Sequence, residues 1–266
     1  MKWLPALVVL WACLMARHGA ASNESSGELE LTILHTNDIH SHIEESSKYG
    51  GLCSEKDKNL SACVGGVARI TSKVKELKEK YPGALFMNAG DFYQGTAWYS
   101  ILKDKIVSAV MAKMGYDYIC LGNHEFDDGP KGLAPFLEAM KAANVTVVNT
   151  NANFSNEAAL RDIALPKSVT FTINDTKIGV VGAVLHETKV LSNPGNVTFR
   201  NDLDSIQEEA KKLDRKWYKN YRRHYSRWIS SRIGNCVTGE RSRYCRWRSH
   251  EHVFVPRRGL PRREQT

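Results

Sequence analysis

The sequence predicts an α/β protein in which helices are layered on a largely parallel sheet and right-handed crossovers join the strands. Two observations support this fold class. Short apolar strands alternate with amphipathic helices along the chain, and three of these strands end in polar turns. The 266 residues, 42% of them apolar and 25% charged, suit one or two globular domains, which excludes wholesale disorder, collagen and a coiled-coil rod.

The individual elements follow from the spacing of apolar residues. In residues 66–80, apolar side chains recur at three-and-four spacing with Lys and Glu between them, as in an amphipathic helix, and Pro82-Gly83 ends it. The predicted elements, in order, are strand 29–35, helix 66–80, strand 84–88, helix 101–114, strand 116–121, helix 130–143, strand 145–148, a hairpin of strands 169–173 and 177–184 at the sheet's edge, and helix 202–213.

Residues 1–22 are predicted to be a secretory signal peptide that is cleaved near Ala21 or Ser22. Lys2 precedes an apolar run from 3 to 15, and small residues follow at 19–22. A membrane anchor is the alternative, but the run is shorter than the roughly 20 apolar residues that span a bilayer. We therefore expect a secreted, extracellular protein without a transmembrane segment.

Sequons and cysteines fit the same compartment. Cys53 and Cys63 bracket the polar loop 54–62, which a disulfide would staple, although two free thiols are the alternative. Cys120 lies in an apolar run and is predicted to be a buried strand thiol, whereas Cys236 and Cys245 have no convincing partner. Glycosylation requires exposed sequons in the secretory route, and six are present, at Asn23, Asn59, Asn144, Asn153, Asn174 and Asn196.

The positive charge is concentrated at the end of the chain. The whole chain carries a formal net charge of +8, but residues 214–266 hold 15 basic and 4 acidic side chains. The residues before them are therefore slightly acidic, at −3. This distribution does not support nucleic-acid binding by the whole chain.

Three polar clusters carry the candidate chemistry, and each follows a predicted buried strand. They are 37–40 (Asn-Asp-Ile-His), 90–95 (Gly-Asp-Phe-Tyr-Gln-Gly) and 122–127 (Gly-Asn-His-Glu-Phe-Asp). Loops beyond the carboxyl ends of parallel strands converge on one crevice, so the clusters are expected to meet. Asp38 and His40 would share one side of an extended segment. Carboxylate, imidazole and amide donors without a thiolate suit divalent Zn, Mn, Fe or Mg.

These clusters, in this order and each after a strand, resemble the metallophosphoesterase superfamily. The surrounding stretches resemble, from about residue 28 to 213, the secreted 5′-nucleotidase and salivary apyrase family. The stretches are Leu31-Thr-Ile-Leu-His-Thr-Asn-Asp38, Gly65-Gly-Val-Ala-Arg69, Ala89-Gly-Asp-Phe-Tyr-Gln-Gly-Thr96, Leu121-Gly-Asn-His-Glu-Phe-Asp127 and Leu191-Ser-Asn-Pro-Gly195.

The resemblance implies a layered, calcineurin-like α/β fold, incomplete at its C-terminal side, with residues 28–213 as the N-terminal part of the metallophosphoesterase domain. It implies two divalent ions per site, of Zn, Mn, Mg or Ca. Asp38 and His40 match ligands of one metal, Asp91 matches the bridging ligand and Asn123 a ligand of the second metal. His124 and Asp127 match the catalytic pair. The implied reaction is hydrolysis of extracellular AMP, ADP or ATP by metal-activated water.

Three other histidines are expected to lie outside the site. His35 is predicted to be a packed histidine within a strand, and His42 a solvated loop residue. His186 follows a strand and could approach the cleft, but a position away from it is the favoured interpretation.

The chain departs from the family after Leu213. Two further histidine ligands, in a Thr-His-x-Gly or Gly-His-Ser turn and a later Gly-His-Ser/Thr turn, are missing, as is the family's base-binding second domain. Instead, 13 arginines crowd into residues 214–266, a composition that cannot bury much of a core. The codons of residues 216–228, read one base forward, are free to encode Ser-Gly-Ile-Lys-Ile-Ile-Ala-Val-Ile-Thr-His-Gly-Gly, a buried strand ending in Thr-His-Gly.

Residues 214–266 are accordingly predicted to be a basic tail outside the family, disordered or translated out of frame. Two function classes follow. The chain is a secreted nucleotide phosphohydrolase by family, with weak or no turnover as written, or it is a non-catalytic secreted fragment whose tail binds polyanions. The sequence does not choose between AMP, ADP and ATP.

Overall fold

The computed structural model describes residues 31–173 and 176–220, together with three short strand segments at 236–239, 242–245 and 252–253. The predicted signal peptide and the sequons at Asn23 and Asn174 lie outside the described residues.

The described strands and helices alternate along the chain. The strands are β1 Ile33–Thr36, β2 Ser46–Ser47, β3 Cys63–Val64, β4 Leu85–Asn88, β5 Tyr118–Cys120, β6 Thr146–Val148, β7 Ala152–Asn153, β8 Ser168–Ile173, β9 Thr176–Ala183, β10 Thr198–Phe199, β11 Cys236–Gly239, β12 Ser242–Cys245 and β13 His252–Val253. The α-helices are Glu55–Asn59, Val67–Lys80, Ala97–Leu102, Asp104–Met114, Gly129–Ala142, Thr188–Leu191 and Asp202–Asn220.

The central sheet has the order β1-β4-β5-β6, and every neighbouring pair is parallel. This confirms the predicted α/β fold with a parallel sheet. Parallel strands need crossovers, which the helices between them supply. The carboxyl ends of β1, β4 and β5 therefore meet at the same edge of the sheet, where the three polar clusters follow them.

Aromatic side chains fill the core between the sheet and its helices. Phe86 stacks on Tyr116 with ring centroids 4.0 Å apart, and Phe92 packs against Phe136 at 5.5 Å. Burial of each such ring contributes roughly 1.5–3 kcal/mol. Phe92 directly follows Asp91 in the chain, so this packing anchors one polar cluster to the core.

The predicted hairpin forms as β8 and β9, but it belongs to a second sheet and not to the edge of the first. The two strands pair antiparallel, and β13 pairs with the other side of β9. β9 contacts β5 and β6, and a Cβ on its Gly182 would lie 2.9 Å from the Val148 carbonyl oxygen. The apolar run in β9 is covered on both faces, which an edge position in one sheet would not achieve.

Other elements differ from the predicted bounds. Helix 101–114 is two helices, because the backbone of Lys103 turns left-handed at φ +54°. The final helix runs to Asn220, seven residues beyond its predicted end at Leu213. Regular structure also follows Leu213 in the described residues, where β11 and β12 pair antiparallel with Cys236 opposite Cys245.

The loop between Cys53 and Cys63 also contains more structure than predicted. Ser54 and Asp57 form a capping box that starts the helix Glu55–Asn59. The two cysteines are bonded, with Cα atoms 5.6 Å apart, a separation that suits a disulfide. Cys120 is buried in β5, which confirms its predicted environment.

No helix in the described part of the chain is long and apolar enough to cross a membrane.

Candidate metal centre

The three polar clusters converge at the carboxyl edge of the central sheet. Ligand atoms of His40, Asp91 and His124 all lie within 4.8 Å of one another. Asp38 Oδ1 is 3.8 Å from His40 Nε2, and the rings of His40 and His124 meet edge-on with centroids 5.1 Å apart. Asn123 is buried directly before His124. The structure thus brings side chains from all three clusters to one place.

The ring of His40 is oriented by the protein itself. Its Nδ1–H donates to the carbonyl oxygen of Tyr93 at 2.9 Å. This bond leaves Nε2 as the free nitrogen, and Nε2 is the atom that faces Asp38. Metal-binding histidines usually donate their second ring nitrogen to a carbonyl or carboxylate in this way.

Asp91 is the carboxylate of the three-residue cluster and is 8% exposed. Its Oδ1 accepts the backbone N–H of His124 at 3.0 Å. Burial raises the pKa of the Asp91 carboxyl, and the hydrogen bond and charge of His124 oppose that rise. A buried carboxylate with two imidazoles close by is a suitable set of ligands for a cation.

His124 pairs with Asp127 on the adjoining turn. Its Nδ1–H donates to Asp127 Oδ2 at 2.7 Å. Burial alone would lower the pKa of His124, but the bond to Asp127 and the charges of Asp91, Asp127 and Glu125 outweigh burial and raise it. The arrangement favours the protonated imidazole.

The backbone of the candidate ligands is left-handed, which corrects one sequence expectation. Asp38, His40 and Asp91 have φ values of +50°, +45° and +55°. Asp38 and His40 therefore approach each other across a tight turn and not along an extended segment. Residues other than glycine rarely adopt such backbone, and where they do the strain marks a candidate functional site.

Glycine at position 95 allows the turn of His40 to pack. A Cβ on Gly95 would lie 2.3 Å from the His40 carbonyl oxygen, and its φ of +98° suits glycine. The second cluster therefore contacts the first at Gly95, where a side chain would overlap the His40 carbonyl oxygen.

Glu125 is a residue that sequence reasoning missed. Its fully buried carboxylate accepts the N–H groups of Asp91 and Gly122 on Oε2, at 2.9 and 2.6 Å, and those of Phe92 and Tyr93 on Oε1, at 2.6 and 3.2 Å. Burial, with the charge of Asp91, raises its pKa to about 7, and the N–H donors oppose this. Because both oxygens accept two donors each, the geometry suits the ionised form. Glu125 ties the second polar cluster to the third.

The remaining histidines lie in other surroundings. His35 is half-buried in β1, where burial lowers its pKa. His42 is exposed, with Nδ1 3.1 Å from the Ile39 carbonyl oxygen. His186 pairs with Asp202 and Glu187, at 2.7 and 3.1 Å, apart from the three-residue cluster of the centre.

The described sequons are all on the surface. Each of their asparagines is exposed, namely Asn59, Asn144, Asn153 and Asn196.

The donor set fits a divalent metal ion. Carboxylates and imidazoles are ligands for Zn, Mn and Fe, and the free Nε2 of His40 is already turned toward Asp38. A parallel α/β sheet whose strand ends gather these donors beside a His-Asp pair is the architecture of a metallophosphoesterase.

The comparisons with known proteins agree with that class. Residues 31–253 match the calcineurin-like phosphoesterase family, and the chain belongs to this family, whose members use divalent metal ions. It is 33% identical over 217 residues to an apyrase of Anopheles gambiae, covering 79% of this chain and 37% of the apyrase. It is 38% identical over 216 residues to a snake venom 5′-nucleotidase of Gloydius brevicauda, covering 79% and 34%.

A solved structure is similar to this chain as well. The 5′-nucleotidase precursor of Thermus thermophilus superimposes with a TM-score of 0.59 and 32% identity, over 70% of this chain and 35% of that one. The chain therefore spans only about a third of the length of the relatives it matches.

Proposed function

We propose that the protein is a secreted, metal-dependent phosphohydrolase that acts on extracellular nucleotides. The observation that carries this proposal is the convergence of His40, Asp91 and His124 within 4.8 Å at the ends of three parallel strands. The relatives are named apyrase and 5′-nucleotidase, which supports AMP, ADP or ATP as the substrate class.

The ligand roles divide between the clusters. Asp38 and His40 would hold one divalent ion, Asn123 would hold a second, and Asp91 would be shared. Zn, Mn, Mg and Ca are the candidate ions. When bound, such ions neutralise phosphate charge and activate the attacking water.

His124 and Asp127 supply the protein's own catalytic groups. Protonated His124 stabilises the phosphoryl oxygens or the leaving group, because its raised pKa keeps a proton available. Asp127 holds the ring through Nδ1 and so leaves Nε2 free to face the substrate.

Secretion is supported by three separate features. The predicted signal peptide at 1–22, the bonded pair Cys53–Cys63 and the exposed sequon asparagines all suit an oxidising, extracellular compartment. When the chain is expressed in secretory cells, we expect the protein to be recovered from the culture medium with its N-terminus at about residue 22.

We propose weak or no turnover for residues 1–266 as written, because the two further histidine ligands of the family do not occur in this sequence. An out-of-frame origin of residues 214–266 accounts for their absence. Sequencing the transcript through the codons of Leu213 to Lys216 tests this origin. A message that cannot encode the missing strand in either other frame would rule it out.

The experiment for the proposed function is phosphate release from AMP and ATP by the full chain with added Zn²⁺ or Mn²⁺. We expect slow release that depends on metal and that falls by about 10²-fold or more in His124→Ala. His42→Ala is the matched control, since that histidine is exposed and outside the ligand set. Release that survives His124→Ala would remove His124 from the mechanism, and rates that match those of a full-length relative would refute the weak turnover proposed for this chain.

A further inference from the structure

Both carboxylate oxygens of Asp127 are engaged, and they are engaged by different parts of the chain. Oδ2 accepts from Nδ1 of His124 at 2.7 Å, and Oδ1 accepts from the hydroxyl of Ser192 at 2.7 Å. Ser192 is 65 residues from Asp127 in the sequence, so the fold and not the local chain makes this bond. A carboxylate with one donor rotates readily about its last torsion, whereas a donor on each oxygen fixes its plane.

The segment that carries Ser192 is anchored on both sides of that residue. We call residues 186–196 the strap. At its start, His186 Nδ1 bonds Asp202 Oδ1 at 2.7 Å, and Asp202 is only 3% exposed. At its end, the backbone N–H of Asn196 donates to Glu157 Oε2 at 2.9 Å. These bonds hold the strap in place independently of the contact at Ser192.

The strap also packs closely against the helix that follows the turn carrying His124 and Asp127. A Cβ on Gly195 would lie 2.9 Å from Pro130 Cγ and 2.6 Å from Glu157 Oε2, and Gly195 has a φ of +61°. Pro130 belongs to the helix Gly129–Ala142, which begins two residues after Asp127. Close backbone packing therefore sets the distance between the strap and Asp127.

We propose that Ser192 is a positioning residue for the His124–Asp127 pair, and that the strap exists to hold its hydroxyl against Asp127. This inference rests on the proposed function of His124. The Ser192 hydroxyl fixes the Asp127 carboxylate, which in turn holds the Nδ1–H of His124 and keeps its Nε2 directed to the reacting phosphate. Ser192 contacts neither substrate nor metal in this account and acts through Asp127.

The test observes the His124 ring directly in the metal-free full chain, so its outcome does not depend on hydrolysis. The Nδ1–H proton of a histidine bonded to carboxylate gives a separate downfield resonance in ¹⁵N-edited NMR spectra, and its loss in His124→Ala assigns it. In Ser192→Ala we expect this proton to exchange with water about tenfold faster or more, because Asp127 loses roughly one hydrogen bond that holds it in place. Ser192→Thr keeps a hydroxyl and is expected to keep the slow exchange.

Matched variants separate positioning from folding. Ser72→Ala removes an exposed serine hydroxyl on helix Val67–Lys80 and is expected to leave the resonance unchanged. If Ser192→Ala does not fold, Ser192→Cys replaces it in the test. Cysteine is nearly isosteric with serine but is a weak donor, so we expect accelerated exchange of the Nδ1–H proton in this variant as well. Unchanged exchange in a folded Ser192→Ala or Ser192→Cys would overturn the proposal, and so would accelerated exchange in a folded Ser192→Thr. If AMP and ATP hydrolysis fails but the resonance responds as expected, the positioning contact stands and the proposed reaction does not.

Discussion

At the scale of single residues, the site combines residue types that the sequence shows with backbone geometry that it does not. Asp38, His40, Asp91 and Asn123 could be selected from the sequence because each follows a strand that the sequence predicts to be buried. The left-handed turns at three of them could not, since φ depends on contacts such as Gly95 against the His40 carbonyl oxygen. Glu125 was missed because its partners are backbone N–H groups, which leave no mark in the sequence.

Replacing Glu125 by glutamine tests its structural role. An amide presents donors to some of the four buried N–H groups, so the folded state would lose on the order of 3 kcal/mol. Chemical denaturation of the full chain measures this loss. Glu138→Gln changes an exposed glutamate on helix Gly129–Ala142 and is expected to change stability by less than about 0.5 kcal/mol. Equal stability of the two variants would show that the Glu125 carboxylate does not hold the clusters together.

Gly95→Ala tests the contact between the first two clusters. The new Cβ would meet the His40 carbonyl oxygen at 2.3 Å, so His40 must move. Gly83→Ala is the matched control, because Gly83 has a similar φ of +85° but nothing within 4 Å of the new Cβ. Both variants carry backbone strain of about 1–2 kcal/mol, and only Gly95→Ala is expected to weaken Mn²⁺ binding in titration calorimetry. Equal binding by the two variants would argue against the contact.

At the scale of elements, the sequence predicted the central sheet well and the second sheet poorly. The strands ending at Thr36, Asn88 and Cys120 were all predicted within a few residues, because short apolar runs bounded by polar turns are a clear signal. The separate sheet of β8 and β9 was not predicted, since pairing with a distant partner leaves no local pattern. The length of the last helix was underestimated because the residues after Leu213 are mostly basic or polar and show no clear apolar periodicity.

The packing of the last helix against β9 gives a test at this scale. Ile206 is 4% exposed and belongs to a buried cluster with Val181, Ala183, Ala210 and Leu213. Ile206→Ala is expected to lower the free energy of unfolding by about 2–4 kcal/mol, the range for deleting a buried aliphatic side chain. Leu203→Ala, on the same helix but 47% exposed, is expected to cost less than about 1 kcal/mol. Similar losses in both variants would mean that this helix is not packed as described.

At the scale of the whole molecule, the chain contains one part of a longer family pattern. It has all three polar clusters and the His-Asp pair, and it spans about a third of the length of its relatives. The formal charge is unevenly distributed, with a slightly acidic body before residue 214 and a strongly basic stretch from residue 214 onward, although the family match extends to residue 253. We expect metal binding to be retained better than catalysis, because His40, Asp91 and His124 still converge within 4.8 Å while the further histidines are not in the sequence.

The most direct measurement of the central claim is the binding of Mn²⁺ to the full chain, followed by titration calorimetry and electron paramagnetic resonance. We expect saturable binding that weakens by at least about tenfold in Asp91→Asn, since Asp91 is the buried carboxylate with a ligand atom within 4.8 Å of both imidazoles. Asp162→Asn, which alters a highly exposed carboxylate, should bind as the unaltered chain does. Equal Mn²⁺ affinity for Asp91→Asn and Asp162→Asn, or no saturable binding by the unaltered chain, would contradict the claim that the three turns form a single cation site.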